Sequence, residues 1–301
     1  MRIVIALGGN ALLQKGQPLE ASIQQENIIR ACRAIAEIVG DHDLIITHGN
    51  GPQVGLLALQ AESYKEVKPY PLDILDAETE GMLGYQITRE LTNVLPERKV
   101  VSVLTQVQVD PLDPAFAEPS KPVGPIYPAA DRKKLRDEYG WAFTEVADGL
   151  RRLVPSPEPG QIIELAAIRL LVEHGHIVVC AGGGGIPVCL DRAGELKGAA
   201  AVIDKDLTSA LLAKELNAEI LLLLTDIDAV YEHWGSDRAR PLRESAPAKL
   251  RGLSFEAGSM GPKVAAACRF VESTGGLARI GDLYDLPRVI SGDSGTCISN
   301  R

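Results

Sequence analysis

Two lysines stand where helices begin. Asp204-Lys205-Asp206 and Met260-Gly261-Pro262-Lys263 each open a segment of helical periodicity, the second marked by Pro262 at the expected first helical position. An ammonium group there faces the positive end of the helix dipole, which is unfavourable unless an anion sits beside it. The pair therefore predicts a bound anion, against the alternative that both side chains extend into solvent. On the same reasoning, a Lys263→Met chain without ligand is expected to be at least as stable as its parent. Asp206 either orients the lysines or serves as a plain helix cap. Lys121, inside a proline-rich stretch, is a third candidate cation.

Glycine supplies the complementary half of such a site. Three apolar runs lead straight into it: 3–7 into Gly8-Gly9-Asn10, 44–47 into His48-Gly49-Asn50-Gly51, and 177–181 into Gly182-Gly183-Gly184-Gly185. If these runs are parallel strands, their carboxyl ends share one edge of the sheet, where ligands bind in such folds. Glycine lets backbone N–H groups approach an anion with no Cβ in the way. Phosphoryl transfer asks mainly for positioning and positive charge around the transferred group, which this combination supplies. The common nucleotide signatures are missing. No G-x-x-x-x-G-K-[ST] occurs, and Val54 occupies the third glycine position of a G-x-G-x-x-G that would begin at Gly49. No Ser-His-Asp set is evident, and His174-x-His176 lacks further ligands nearby, so no metal held directly by the protein is expected.

The elements that must position these groups follow from periodicity. Short apolar runs at 3–7, 44–47, 100–104, 177–181 and 220–225 read as strands buried on both faces. Helical segments are predicted at 78–92, 161–174, 206–216 and 262–273. Another lies between the first two strands, opened by a Ser22/Gln25 capping box. Strand and helix in alternation predict an α/β fold, a three-layer αβα sandwich around a largely parallel sheet. One stretch breaks the alternation: six prolines fall between Asp110 and Pro128, and a charged segment follows. Residues 111–155 therefore read as an inserted lid subdomain.

Composition narrows the classes. The chain has 301 residues and a net charge of −9, which argues against a general nucleic-acid binder or a polybasic membrane-surface protein. Its five cysteines are scattered with no C-x-x-C, as in a reduced, cytoplasmic protein. Gly8-Gly9-Asn10 cuts the first apolar run too short for a secretory signal, and no other run approaches the ~20 residues of a membrane span.

At this level of detail the sequence resembles the carbamate kinases of the amino acid kinase family, nearly end to end. The motifs that carry the likeness are ALGGNALLQKG (6–16), THGNGPQVG (47–55), DAETEGMLGYQ (76–86), SKPVGPIY (120–127), RRLVPSPEP (151–159), AGGGGIPV (181–188), AVIDKDLTSALLA (201–213), LLLLTDIDAVY (221–231) and GSMGPKVAAA (258–267). The resemblance implies reversible phosphoryl transfer between ATP and carbamate, giving ADP and carbamoyl phosphate, with Mg²⁺ carried on the nucleotide. It implies a carbamate half at 1–190, a nucleotide half at 191–301 and a homodimer. By motif, Lys121, Lys205, Asp206 and Lys263 would be catalytic. Gly8, Gly9, Asn10, Gly49, Asn50 and Gly51 would line the carbamate and phosphate site, and Gly183 and Gly184 are placed with them. Asp226, Tyr231 and Met260 would border the nucleotide. The alternatives are another acyl kinase of the same family, or a non-catalytic sensor of carbamoyl phosphate or nucleotide. Two departures stand out: Ala147-Asp148-Gly149-Leu150 in place of a Gly-Arg-Gly-aromatic run, and Gly261 where an apolar residue is usual.

Overall fold

In the computed structural model, which describes residues 1–14, 16–255 and 260–300 and leaves aside the side chains of Asn10, Ala11 and Pro125, eight strands form one central sheet. Across the sheet they run Glu244–Ser245, Thr296–Ile298, Leu277–Asp282, Ile220–Thr225, Arg2–Leu7, Asp43–His48, Ile177–Cys180 and Val100–Val103. Every neighbouring pair is parallel except Leu277–Asp282 with Thr296–Ile298. The strands at the middle of the sheet are almost wholly apolar between their ends because both faces are covered. Along Arg2–Leu7, Val4 and Ala6 face one core, with Leu221, Leu223, Ala213 and Phe270. Ile3, Ile5 and Leu7 face the other, with Ile28, Ile35, Leu83 and Ile87. Helices Leu165–Glu173, Lys205–Glu215 and Met260–Thr274 build the first layer; Ala21–Ala36, Leu72–Val94 and Leu286–Ser291 build the second. The expected three-layer sandwich is the observed fold.

Several boundaries differ from expectation. No Ser22/Gln25 capping box forms: the helix begins at Ala21, and the extended cap position is held by Glu20, so Ser22 already lies in the first turn. The helix expected at 78–92 runs from Leu72 to Val94, directly after Pro71, because Leu72 and Leu75 extend its buried stripe. In the segment 161–174, Gln161–Ile162 pairs with Gln106–Gln108 as a strand, and the helix covers only Leu165–Glu173. The last long helix, Met260–Thr274, holds Pro262 inside its first turn and not at its first position.

The inserted segment folds on a sheet of its own. Lys121–Tyr127, Gly149–Val154 and Ala142–Val146 form three antiparallel strands in that order, with helix Arg132–Tyr139 beside them. Lys121–Tyr127 is an edge strand, which is where Pro122 and Pro125 are tolerated, and its register slips between Val123 and Ile126. Tyr127, Trp141 and Phe143 pack edge-to-face, and the Arg152 guanidinium lies 3.9 Å from the Trp141 ring centroid. Among the described residues, no helix is long and apolar enough to cross a membrane.

Candidate active site

The glycine turns meet at the carboxyl edge of the sheet as the spacing predicts. Gly8 donates its N–H to the Leu224 carbonyl at 3.1 Å, and Gly49 donates to Leu7 at 3.0 Å. The fit is close. A Cβ on Gly8 would stand 2.8 Å from the Leu224 oxygen, and one on Gly183, at φ +68°, only 2.2 Å from Asn50 Nδ2. Gly8, Gly9, Gly49, Asn50, Gly51 and Gly183 line one cavity of about 280 Å³, together with Lys121, Lys205, Asp206 and Lys263. Gly184 is not on its wall; that carbonyl accepts the Thr208 hydroxyl at 2.9 Å and seats the helix behind. The Asn10 side chain lies outside the described residues.

Asp206 joins the two helix-start lysines. Lys205 Nζ donates to its Oδ1, and Lys263 Nζ donates to its Oδ2 at 3.0 Å, in a setting where all three side chains are nearly buried. Burial alone would raise the Asp206 carboxyl, but the two ammonium groups outweigh it and hold it well below the usual carboxylate range. Burial pulls Lys205 down to about 8 against the opposing pull of Asp206, and the neighbouring Lys263 adds to the fall. The arrangement corrects the expectation that the Lys263 charge stands alone without ligand: it is already half of a buried ion pair, so removing it leaves Asp206 under-compensated and lowers stability. Asp206 is also not the helix cap. Asp204 holds that position, accepting the N–H groups of Asp206 and Leu207 at Oδ1 and Lys121 Nζ at Oδ2, 3.0 Å away.

A second cavity of about 730 Å³ opens beside the first, lined by Ile227, Tyr231, Trp234, Leu253, Phe255 and Met260. Tyr231 donates its hydroxyl to Asp228 at 2.8 Å and meets Trp234 edge-on. Thr225 lines the first cavity and Ile227 the second, so Asp226 sits where they adjoin. Helix Met260–Thr274 contributes Met260 to one and Lys263 to the other. The arrangement offers cations and N–H groups for phosphates beside an apolar and aromatic slot of the size of a planar ring system.

Sequence reasoning missed Asp204 as the partner of Lys121, and Trp234 and Phe255 in the second cavity. It also missed the carboxylates of a buried polar layer under the first. His48 has no contact with solvent, donates Nδ1–H to the Gly49 carbonyl, and is pushed down to about 4 by burial. Glu80 accepts the N–H groups of Gly182 at 2.9 Å and Thr105 at 3.2 Å, tying the glycine run to helix Leu72–Val94. Burial pushes both Glu80 and Asp76 up to about 8. The available signal was Asp76, Thr79 and Glu80 at helical spacing, continuing the stripe of Leu83 and Ile87.

Known proteins resemble the chain along nearly its whole length. The family model described as "Amino acid kinase family" matches residues 1–282. A carbamate kinase of Rhizobium meliloti is 51% identical over 303 residues, covering 100% of this chain and 94% of that relative. The Haemophilus influenzae carbamate kinase is 48% identical, covering 100% and 97%. Among solved structures, the Giardia lamblia carbamate kinase bound to AMP-PNP superposes with a TM-score of 0.92 at 36% identity, covering 99% of this chain and 98% of that one.

Proposed function

The chain belongs to the amino acid kinase family, and we propose that it is the kinase that moves a phosphoryl group reversibly between ATP and carbamate. The observation that carries this reading is Asp206 bridging Lys205 and Lys263 over a cavity floored by three glycine turns. Running toward ATP, the bond from phosphorus to the carboxyl oxygen of carbamoyl phosphate breaks as a β-phosphate oxygen of ADP bonds to that phosphorus. Carbamate leaves and decays to carbon dioxide and ammonia. Lys205 and Lys263 face the charge on the transferred group, while Asp206 keeps the two ammonium groups from separating. Lys121 reaches the same group from the lid, and backbone N–H groups of Gly9 and Gly51 complete the cradle with Asn10 and Asn50, while Gly8 and Gly49, whose own N–H groups anchor the turns to Leu224 and Leu7, line it. Gly183 leaves room for Asn50, and Gly184 backs the wall. The nucleotide base occupies the second cavity against Tyr231 and Met260, with Asp226 at the join.

Asp204 and Asp206 are the carboxylates on the first cavity's wall, and both oxygens of each are engaged by lysines or backbone N–H groups. That donor set fits a Mg²⁺ ion that rides on the nucleotide phosphates, where it offsets charge on the phosphate oxygens. The reading carries with it a cytoplasmic homodimer. The sheet ends on Val100–Val103, and Met82, Tyr85 and Leu104 remain exposed around that edge, a surface suited to a second copy.

A coupled assay for ATP formation from ADP, Mg²⁺ and carbamoyl phosphate tests the proposal, with acetyl phosphate and N-acetylglutamyl phosphate as controls. Preferred turnover of carbamoyl phosphate is expected. Preferred turnover of another acyl phosphate would make the chain a different acyl kinase, and binding without turnover would make it a sensor.

A further inference from the structure

Asn50 is held by two acceptors from helix Leu72–Val94. Its Nδ2 donates to Asp76 Oδ1 at 2.9 Å and to Thr79 Oγ1 at 2.9 Å. The Thr79 hydroxyl hydrogen is itself engaged, donated to the Asp76 main-chain carbonyl at 2.9 Å, so Thr79 can only accept from Asn50. Turning the amide over would give up both of these hydrogen bonds at once, so the pattern favours the orientation with Nδ2 toward the helix. Gly183 closes the other side: a Cβ there would lie 2.5 Å from Asn50 Cγ. With both amide hydrogens committed, the group that Asn50 can still offer the cavity it lines is its side-chain carbonyl, an acceptor.

An acceptor fixed in a site for acyl phosphates distinguishes among them. The amino group of carbamoyl phosphate donates N–H; the methyl group of acetyl phosphate donates nothing and would leave the buried carbonyl unpaired. We propose that Asn50 reads the amino group of the carbamoyl substrate through its side-chain carbonyl, and that Asp76 and Thr79 are positioning residues that hold it in that orientation. This inference rests on the carbamate kinase reading and adds the origin of its choice of acyl group.

The test compares kcat/KM for carbamoyl phosphate with that for acetyl phosphate, the latter scored as a competitive inhibitor where its turnover is nil. Thr79→Val keeps the volume and removes the acceptor, freeing the amide to turn. It is expected to lower the ratio about 10- to 100-fold, through the carbamoyl arm, with ADP affinity unchanged. Thr79→Ser restores the hydroxyl and is expected to retain the ratio. Equal losses for both substrates, or a Ser variant that behaves like the Val variant, would overturn the proposal. Should Thr79→Val fail to fold, Asp76→Leu must lower the ratio and Asp76→Asn must keep it. Absence of carbamoyl phosphate turnover in the parent protein would defeat the functional reading itself, whereas an active parent with unmoved ratios in the variants defeats only the orientation of Asn50.

Discussion

Lys205 and Lys263 stand on helices packed against the eight-stranded sheet, whereas Lys121 stands on the edge strand of the small three-stranded one. The first two are buried with side chains 11% exposed and share a carboxylate that shows 5% of its surface. Lys121 is 31% exposed and pairs with Asp204 near the surface. The difference separates two ways of holding charge. On the main sheet, two like charges are kept close by a buried anion, a geometry fixed before any ligand arrives. On the small sheet, a single pair of modest strength lies in reach of water, so Lys121 can exchange partners without disturbing the main sheet.

The sharpest way to break the comparison is Asp206→Ala, which leaves two buried ammonium groups with no shared partner. Turnover is expected to fall by about 10²–10³-fold, and denaturant unfolding should show a loss of about 3–5 kcal/mol. Next comes one substitution made in both regions. Lys263→Met should cost about 10²–10³-fold in turnover together with measurable stability. Lys121→Met should lower turnover less, about 10- to 100-fold, leave calorimetric ADP affinity nearly unchanged, and shift unfolding by less than about 1 kcal/mol. Equal stability losses at the two positions would erase the distinction.

A third measurement uses pH. Lys205, pulled down to about 8, is charged below that value and neutral above it, so turnover should decline as pH rises through about 8. Lys205→Arg keeps its charge and should remove that limb from the pH–rate profile. The effect on stability has the opposite sense. Between about 8 and the ordinary lysine range the unfolded chain binds the proton that the folded one has released, so the contribution of Lys205 to stability rises with pH there. The smallest effect is expected from Trp141→Ala, which removes the ring under Arg152 and beside Tyr127 and Phe143. Amide exchange across Lys121–Val154 should quicken about tenfold, some 1.4 kcal/mol, while the central sheet exchanges as before.

Much of this site was legible because its parts are local. A strand that runs into glycine and a lysine at a helix start are patterns a few residues long, and the parallel sheet brings their ends together wherever they fall in the chain. What escaped depends on distance or on burial. Asp204 meets Lys121 across 83 positions, and nothing in either segment names the other. Ser22 and Gln25 have the spacing of a cap, yet the packing of Ile28, Cys32 and Ile35 lets the helix begin two residues earlier, with Glu20 at the cap. Asp76, Thr79 and Glu80 occupy core positions of a helix whose other buried residues, Glu90 apart, are apolar or glycine. Periodicity marks where such a helix is buried, and polar residues on that face signal an unusual neighbour without saying which.

At the middle of the sheet, Ile3 pairs with Ile220 and Leu7 with Leu224. Strand Arg2–Leu7 thus waits for a partner made far later along the chain. Until residues 220–225 emerge, one edge of Arg2–Leu7 is an open ladder of donors and acceptors, fit for pairing with another nascent chain. Gly8 likewise lacks the Leu224 carbonyl that anchors its turn. Lys263 is made later still, so the glycine turns and its ammonium come together only after residue 263 has emerged. A chain cut off before that point holds the glycine turns without the ammonium that shares Asp206 with Lys205.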